Sequence, residues 1–286
     1  MTAVLAPAAA GWRGRLQLHY RTAADGGTTA LDRHEGPLRV LQRLYPEGPA
    51  VCHHVLVHPP GGIVGGDELQ IELALDGGTH ALLTTPGATR FYRSAGALAQ
   101  QQLVARVQPG ARLEWLPLET IAYRGCRADN RLRFELTDGA EMIGWDVLAL
   151  GLPAAGQAFD GGRFLQQLEL PGAWLERGSI DGGDALLLDS PLGFAGRRVL
   201  ATLWFAAGSA IERARAEALV ESARAAIDAS ALAADAGVTR QHERVLVLRA
   251  LAERVEPAMQ LLQAVWSAWR PLAWDLAPCA PRVWRT

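Results

Sequence analysis

Lysine is absent: all 28 basic residues are arginine. A P-loop lysine and a Schiff-base lysine are therefore both excluded from the chemistry of this chain. Cysteine is scarce. Cys52, Cys126 and Cys279 are widely spaced, odd in number and without a CxxC pair, which argues against a disulfide framework or a structural zinc site and for a reducing, cytoplasmic home. An excess of charge of one sign is missing as well, with a formal net charge of −2 and a pI near 6.4. There is no basic arm, and nucleic acid is not an expected partner. No stretch approaches the roughly 20 apolar residues of a membrane helix, so no membrane association is expected. Neither a G-x-S-x-G elbow, an ordered Ser/His/Asp set nor a helix-borne H-E-x-x-H is present, and the chain does not read as an enzyme.

What is present is length and apolar content. With 286 residues, 49% of them hydrophobic, the chain can bury a large core, and no composition break divides it. Residues 1–11 are alanine-rich, lack a positive n-region and are interrupted by Pro7; they read as a flexible tail rather than a signal peptide. Residues 12–286 read as a single domain.

Up to about residue 207 the pattern is strand after strand. Trp12, Gly14, Leu16, Leu18 and Tyr20 alternate with Arg13, Arg15, Gln17, His19 and Arg21, and Leu132, Phe134 and Leu136 with Arg131, Arg133 and Glu135. Asp76-Gly77-Gly78, Pro109-Gly110, Asp138-Gly139 and Asp160-Gly161-Gly162 punctuate these runs, and such short connections predict antiparallel neighbours. The expected fold is mainly β: a layered, antiparallel, solenoid-like body with two α-helices in the C-terminal third. The first helix is expected over Ile211–Ala229, with Ile211, Ala214, Ala218, Ser222 and Ala225 on its apolar face. The second starts at Glu256-Pro257 and places Met259, Leu262, Trp266 and Trp269 on one face. That stripe fits core packing, or a partner-binding surface built on Met259, Trp266 and Trp269.

The densest signal is His58-Pro59-Pro60-Gly61-Gly62-Ile63-Val64-Gly65-Gly66-Asp67. Prolines stiffen the start of this loop and glycines permit backbone shapes closed to other residues. A phosphate cradle would need a helix behind it, but Leu69, Ile71, Leu73 and Leu75 alternate as a strand. In Val51–His58 the same period puts Cys52, His54 and His58 on one face, with Asp67 on the adjoining loop. These donors suit nickel, copper or zinc, or else serve as satisfied structural side chains. Glu119, Asp146 and Glu176 stand among apolar neighbours, where a carboxylate either meets an arginine or lines a wet interior.

Three further segments accompany that loop: Pro86-Gly87-Ala88-Thr89-Arg90-Phe91-Tyr92-Arg93-Ser94, Leu116-Pro117-Leu118-Glu119-Thr120-Ile121 and Pro281-Arg282-Val283-Trp284-Arg285-Thr286. In this order they resemble the urease accessory protein UreD (UreH) family, from Trp12 to the last residue. The resemblance implies a scaffold that binds the urease structural subunits with UreF and the GTPase UreG and helps deliver nickel to the urease metallocentre. It implies no tightly bound cofactor, only nickel in transit. By matching motif positions, Asp67, Asp146 and Glu176 would contact nickel along an internal passage also lined by Thr89 and Arg90. Separated carboxylates suit transit, since a tight Cys/His cage would trap the ion. Leu118 stands where the family commonly has glutamine, and Arg90 where lysine is common.

Two readings from other classes compete. A metal-dependent hydrolase would use Cys52, His54, His58 and Asp67 and show turnover by the isolated chain. A carbohydrate-binding module would use some of the nine tryptophans as stacking platforms.

Overall fold

A computed structural model describes residues 11–285. The expected tail, 1–11, lies outside the described residues except for Gly11. The alternating residues become strands as expected: in Arg13–Thr22, Leu16, Leu18 and Tyr20 are buried while Arg13, Arg15 and Arg21 are exposed.

Among these residues, two sheets stack. The seven-stranded sheet runs in the order Trp174–Asp181, Arg163–Leu170, Arg127–Leu136, Ala99–Val107, Glu68–Leu75, Arg13–Thr22, Thr28–Glu35. The larger sheet runs Ala236–His242, Val245–Ala252, Val199–Ala207, Glu141–Leu152, Arg112–Trp115, His80–Thr84, Val51–Val57, Arg39–Val40. A short strand, Thr120–Ala122, joins Glu141–Leu152 to Thr89–Phe91.

The mainly β, solenoid-like body is therefore present, but the strand direction corrects the antiparallel expectation. Glu68–Leu75 is parallel to both its neighbours, as are Ala99–Val107, His80–Thr84 and Arg112–Trp115. Antiparallel pairs make up the larger sheet from Glu141–Leu152 through Val199–Ala207 and Val245–Ala252 to Ala236–His242, and edge pairs such as Arg163–Leu170 with Trp174–Asp181. The reason lies in the turns. Those at Gly78, Gly110 and Gly139 do not fold a strand back on its neighbour; they carry the chain from one sheet to the other, so the next strand in the same sheet repeats the direction. All three glycines have positive φ, and the turns stack, with Gly78 N donating to Pro109 O and Gly110 N to Gly139 O.

Three helices follow the coils: α1 (Ala185–Asp189), α2 (Arg213–Asp228) and α3 (Val255–Trp274). The first is short and adds to the two expected; its N-terminus is capped by Asp184, whose carboxylate accepts from Leu187 N. Glu212 caps α2 in the same manner. The buried face of α2 is Ala216, Leu219, Val220, Ala223 and Ile227, which corrects the expected alanine face, since Ala214, Ala218 and Ala225 are exposed. Burial follows the larger aliphatic side chains, which remove more apolar area from water.

Helices α2 and α3 cover the larger sheet on the side away from the seven-stranded sheet. Glu141–Leu152, enclosed on both faces, is buried almost throughout. Met142, Leu148 and Leu150 pack between the sheets, and Ile143, Trp145 and Val147 pack toward the helices. Met259, Trp266 and Trp269 belong to that second core, the two tryptophans at 1% and 0% exposure. They hold α3 on the sheet, which corrects the expectation of a partner-binding surface there.

Candidate functional site

The solenoid has one end of tight glycine turns and an opposite end of long loops, and the motif segments 58–67, 86–94 and 116–121 fall at the second. Ile63 N donates to Arg90 O and Tyr92 N to Ile63 O, which zips loop 58–67 to loop 85–98. Ser94 N donates to Gly125 O and Gly125 N to Gly161 O, so the following loops stack on these. Gly62 is required by close approach: a Cβ there would stand 2.1 Å from the Tyr92 ring. Asp67 fastens the loop to the start of the domain, its carboxylate accepting from Trp12 N at 2.8 Å and from Val64 N at 2.9 Å.

Beneath these loops lies a cavity of about 250 Å³ between the sheets, lined among others by His58, Gly87, Thr89, Arg90, Gln101, Asn130 and Asp146. A second cavity of about 300 Å³ is lined by Asp146, Gln166, Glu176, Gly178 and Thr202, with Leu187 and Phe194 from the segment around α1. Asp146 lines both. Its position follows from strand period: in Glu141–Leu152 it alternates with Trp145 and Val147 and so faces the gap between the sheets.

Asp146 is 5% exposed and accepts a hydrogen bond from Gln166 Nε2 of the facing sheet. Burial pushes its pKa up to about 6, the Gln166 bond opposing and nearby Glu176 adding. Glu176 in turn is held by Arg249, whose Nε donates to Oε2 at 3.0 Å and whose Nη2 meets the same oxygen. Gln101, Asn130 and Gln166 share one register position on three adjacent parallel strands, and Gln101 Nε2 donates to Asn130 Oδ1 at 3.1 Å. A row of amides thus crosses the interior toward Asp146.

The five residues expected along a passage divide. Thr89, Arg90 and Asp146 line the first cavity and Asp146 and Glu176 the second, whereas Asp67 lines neither and serves the loop frame. The set Cys52, His54, His58 and Asp67 is not brought together as a metal centre. Cys52 is fully buried, and burial raises its thiol pKa. His54 Nδ1 pairs with Tyr20 Oη at 2.8 Å, and burial, aided by Arg43, lowers its pKa to about 4, so the imidazole is neutral. His58 lies past the strand end, half-buried, with its pKa lowered by burial against the pull of Asp67. Among the described residues no group of three or more His, Cys, Asp or Glu side chains is arranged to hold a metal ion. The ligand set that the hydrolase reading requires is not assembled.

Sequence reasoning missed a second polar cluster, between the larger sheet and α3. Arg270 is fully buried and pairs with Glu114 at 3.1 Å and Glu47 at 2.8 Å; Glu114 also meets His80 at 2.7 Å and accepts from Trp266 Nε1 at 2.6 Å. Burial works against ionised Glu114, but His80, Arg270 and Trp266 outweigh it and hold its pKa below the ordinary value. His53 completes the cluster at 2.6 Å from Glu47. A cue existed: Glu114 stands between Leu113 and Trp115, as Asp146 stands between Trp145 and Val147.

The fold and the site define a class: a solenoid-like β protein with polar cavities between its sheets and a helical layer on one flank. Residues 12–285 match the model of the family described as UreD urease accessory protein. Relatives named urease accessory protein UreD are 65% identical over 276 residues in Leptothrix cholodnii, 58% over 275 in Variovorax paradoxus and 59% over 294 in Methylibium petroleiphilum. In each case 96% of this chain and 99% of the relative are covered. The chain belongs to the UreD urease accessory protein family.

Proposed function

We propose that this protein acts in the cytoplasm as a scaffold in urease maturation, binding the urease structural subunits together with UreF and UreG, and that Ni²⁺ travels through its interior to the urease metallocentre. One observation carries the reading: two cavities between the sheets meet at a single carboxylate, Asp146, and hold three of the other motif-matched residues, Thr89, Arg90 and Glu176. Cavity walls of carboxylate, hydroxyl and amide oxygens suit a hard or borderline cation in transit, because each contact is weak and replaceable. The absence of lysine agrees with a division of labour in which nucleotide chemistry belongs to the GTPase partner.

The test is co-expression of urease subunits, UreF and UreG with no UreD chain, with the wild type, with Asp146→Ala and with Gly178→Leu, followed by assay of urease nickel content and activity. Gly178 lines the second cavity beside its register partner Gln166, and a Cβ there meets no atom within 4 Å, so a leucine side chain enters the cavity without a clash at its Cβ and narrows it. Loss of nickel in all three altered cases, with the variant chains still recovered in the complex, supports the reading. Full nickel content without the chain overturns the assembly role. Full nickel content in both variants overturns the interior route.

A further inference from the structure

The two cavities share no lining residue but Asp146, and Gln166, which lines only the second, reaches across from the facing sheet to bond that carboxylate. We propose that Gln166 is the gate of the passage: the hydrogen bond its amide donates to Asp146 closes the gap between the cavities, and exchange of that bond for a hydrated divalent cation opens it. The inference rests on the interior route described above and adds the element that controls it.

Three features favour a gate over a fixed brace. First, Gln166 has left its neighbours in the amide row. Gln101 and Asn130, at the same register, bond each other, while Gln166 turns its Nε2 to the opposite sheet. Second, its other polar atom is uncommitted: Oε1 is buried without a hydrogen-bond partner among the described residues, a condition that costs about 1–3 kcal/mol. The water shell of a cation supplies O–H donors, so an amide released from Asp146 gains at the oxygen what it gives up at the nitrogen. Third, the carboxylate exchanges a neutral N–H for a cation, a stronger partner for a buried charge. The exchange therefore trades an unpaired Oε1 in the closed state for a free Nε2 in the open one, and the Asp146 carboxylate keeps a partner in both. Gln166 is accordingly a positioning residue that acts through Asp146.

The experiment uses the assembled complex of the full chain with UreF, UreG and urease apoprotein, and reads the rate at which supplied Ni²⁺ appears in urease after a chelator quench. Wild type is compared with Gln166→Ala, which removes bond and bulk, with Gln166→Met, which keeps the length and removes the bond, and with Gly178→Leu as the plugged reference. Thermal melts and recovery of the complex establish folding. Removing one hydrogen bond to a carboxylate is expected to raise the transfer rate about tenfold in Gln166→Ala and in the same direction in Gln166→Met, while Gly178→Leu blocks transfer. A residue with a merely structural role gives no acceleration. Unchanged or slower transfer in both Gln166 variants, with Gly178→Leu blocked, overturns the gate and leaves the passage standing. Wild-type transfer in Gly178→Leu overturns the passage, and the gate with it.

Discussion

Arg270 of α3 and Glu114 of the larger sheet form an ion pair at 3.1 Å with neither side chain exposed to solvent. The pair pins the helical layer to the β body from within, and Glu47 extends it to the segment before Val51–Val57. Replacing one partner strands the other charge in the interior. Arg270→Met is expected to lower unfolding free energy by about 3–5 kcal/mol, measured by urea denaturation. The double variant Arg270→Met with Glu114→Gln recovers part of that loss, since the stranded carboxylate is gone.

The raised pKa of Asp146 sets a direction for stability against pH. The folded state keeps the proton up to about pH 6, whereas the unfolded chain releases it near the ordinary value of 3.8. Stability contributed by this group is therefore present below 3.8, falls as pH rises toward about 6 and stays lost above it. Asp146→Asn keeps an acceptor for Gln166 and removes the titration. At pH 7 it is expected to be more stable than wild type by up to ~3 kcal/mol, at about 1.36 kcal/mol per pH unit, while nickel delivery falls. Chemical denaturation at a series of pH values, with nickel assay in parallel, checks both halves.

His54 works in the opposite sense. Its pKa falls from 6.5 to about 4 on folding, so its contribution is intact above 6.5 and is lost as pH falls through that window. His54→Gln retains an acceptor for the Tyr20 hydroxyl without a titrating ring. Wild type is expected to lose stability between pH 6.5 and 4 more steeply than His54→Gln, and parallel curves would refute the assignment.

Gly62 is expected to tolerate no side chain while Tyr92 keeps its place against Tyr123, the ring centroids being 4.8 Å apart. Gly62→Ala is expected to cost about 1–3 kcal/mol through overpacking. Combining it with Tyr92→Ala relieves the clash, and a double-mutant cycle reads the coupling between the two positions.

The alternating strands, the late helices and the long motif loop were legible because period-2 burial writes itself directly into residue type. Strand direction was not. Asp76-Gly77-Gly78 looks the same whether the chain doubles back or crosses to another sheet, and only the third dimension separates a hairpin from an arc. Residue type does not single out the buried face of α2, because alanine is at home both buried and exposed and Ala214 and Ala218 compete there with Leu219 and Ile227. Within the site, Thr89 and Arg90 are marked by motif resemblance alone, while Asp146 and Glu176 also stand out as carboxylates among apolar neighbours; no spacing joins the four, for they lie on separate coils. Asn130 and Gln166 escaped notice because each sits in a polar stretch, Asp129-Asn130-Arg131 and Gln166-Gln167, where an inward amide cannot be told from an outward one. Cys52 and His54 share one strand face, but that face meets Tyr20 and a dry core.

The stacked turns at Gly78, Gly110 and Gly139 divide labour between the two ends of the solenoid. Their near-identical shape sets the pitch, so each coil delivers its strands at the same height whatever happens at the far end. The loops opposite are thereby free to differ in length and composition from coil to coil, and a residue inserted among them displaces a rim and not a register. Variation in loop length and composition can accumulate there while the sandwich beneath keeps its spacing.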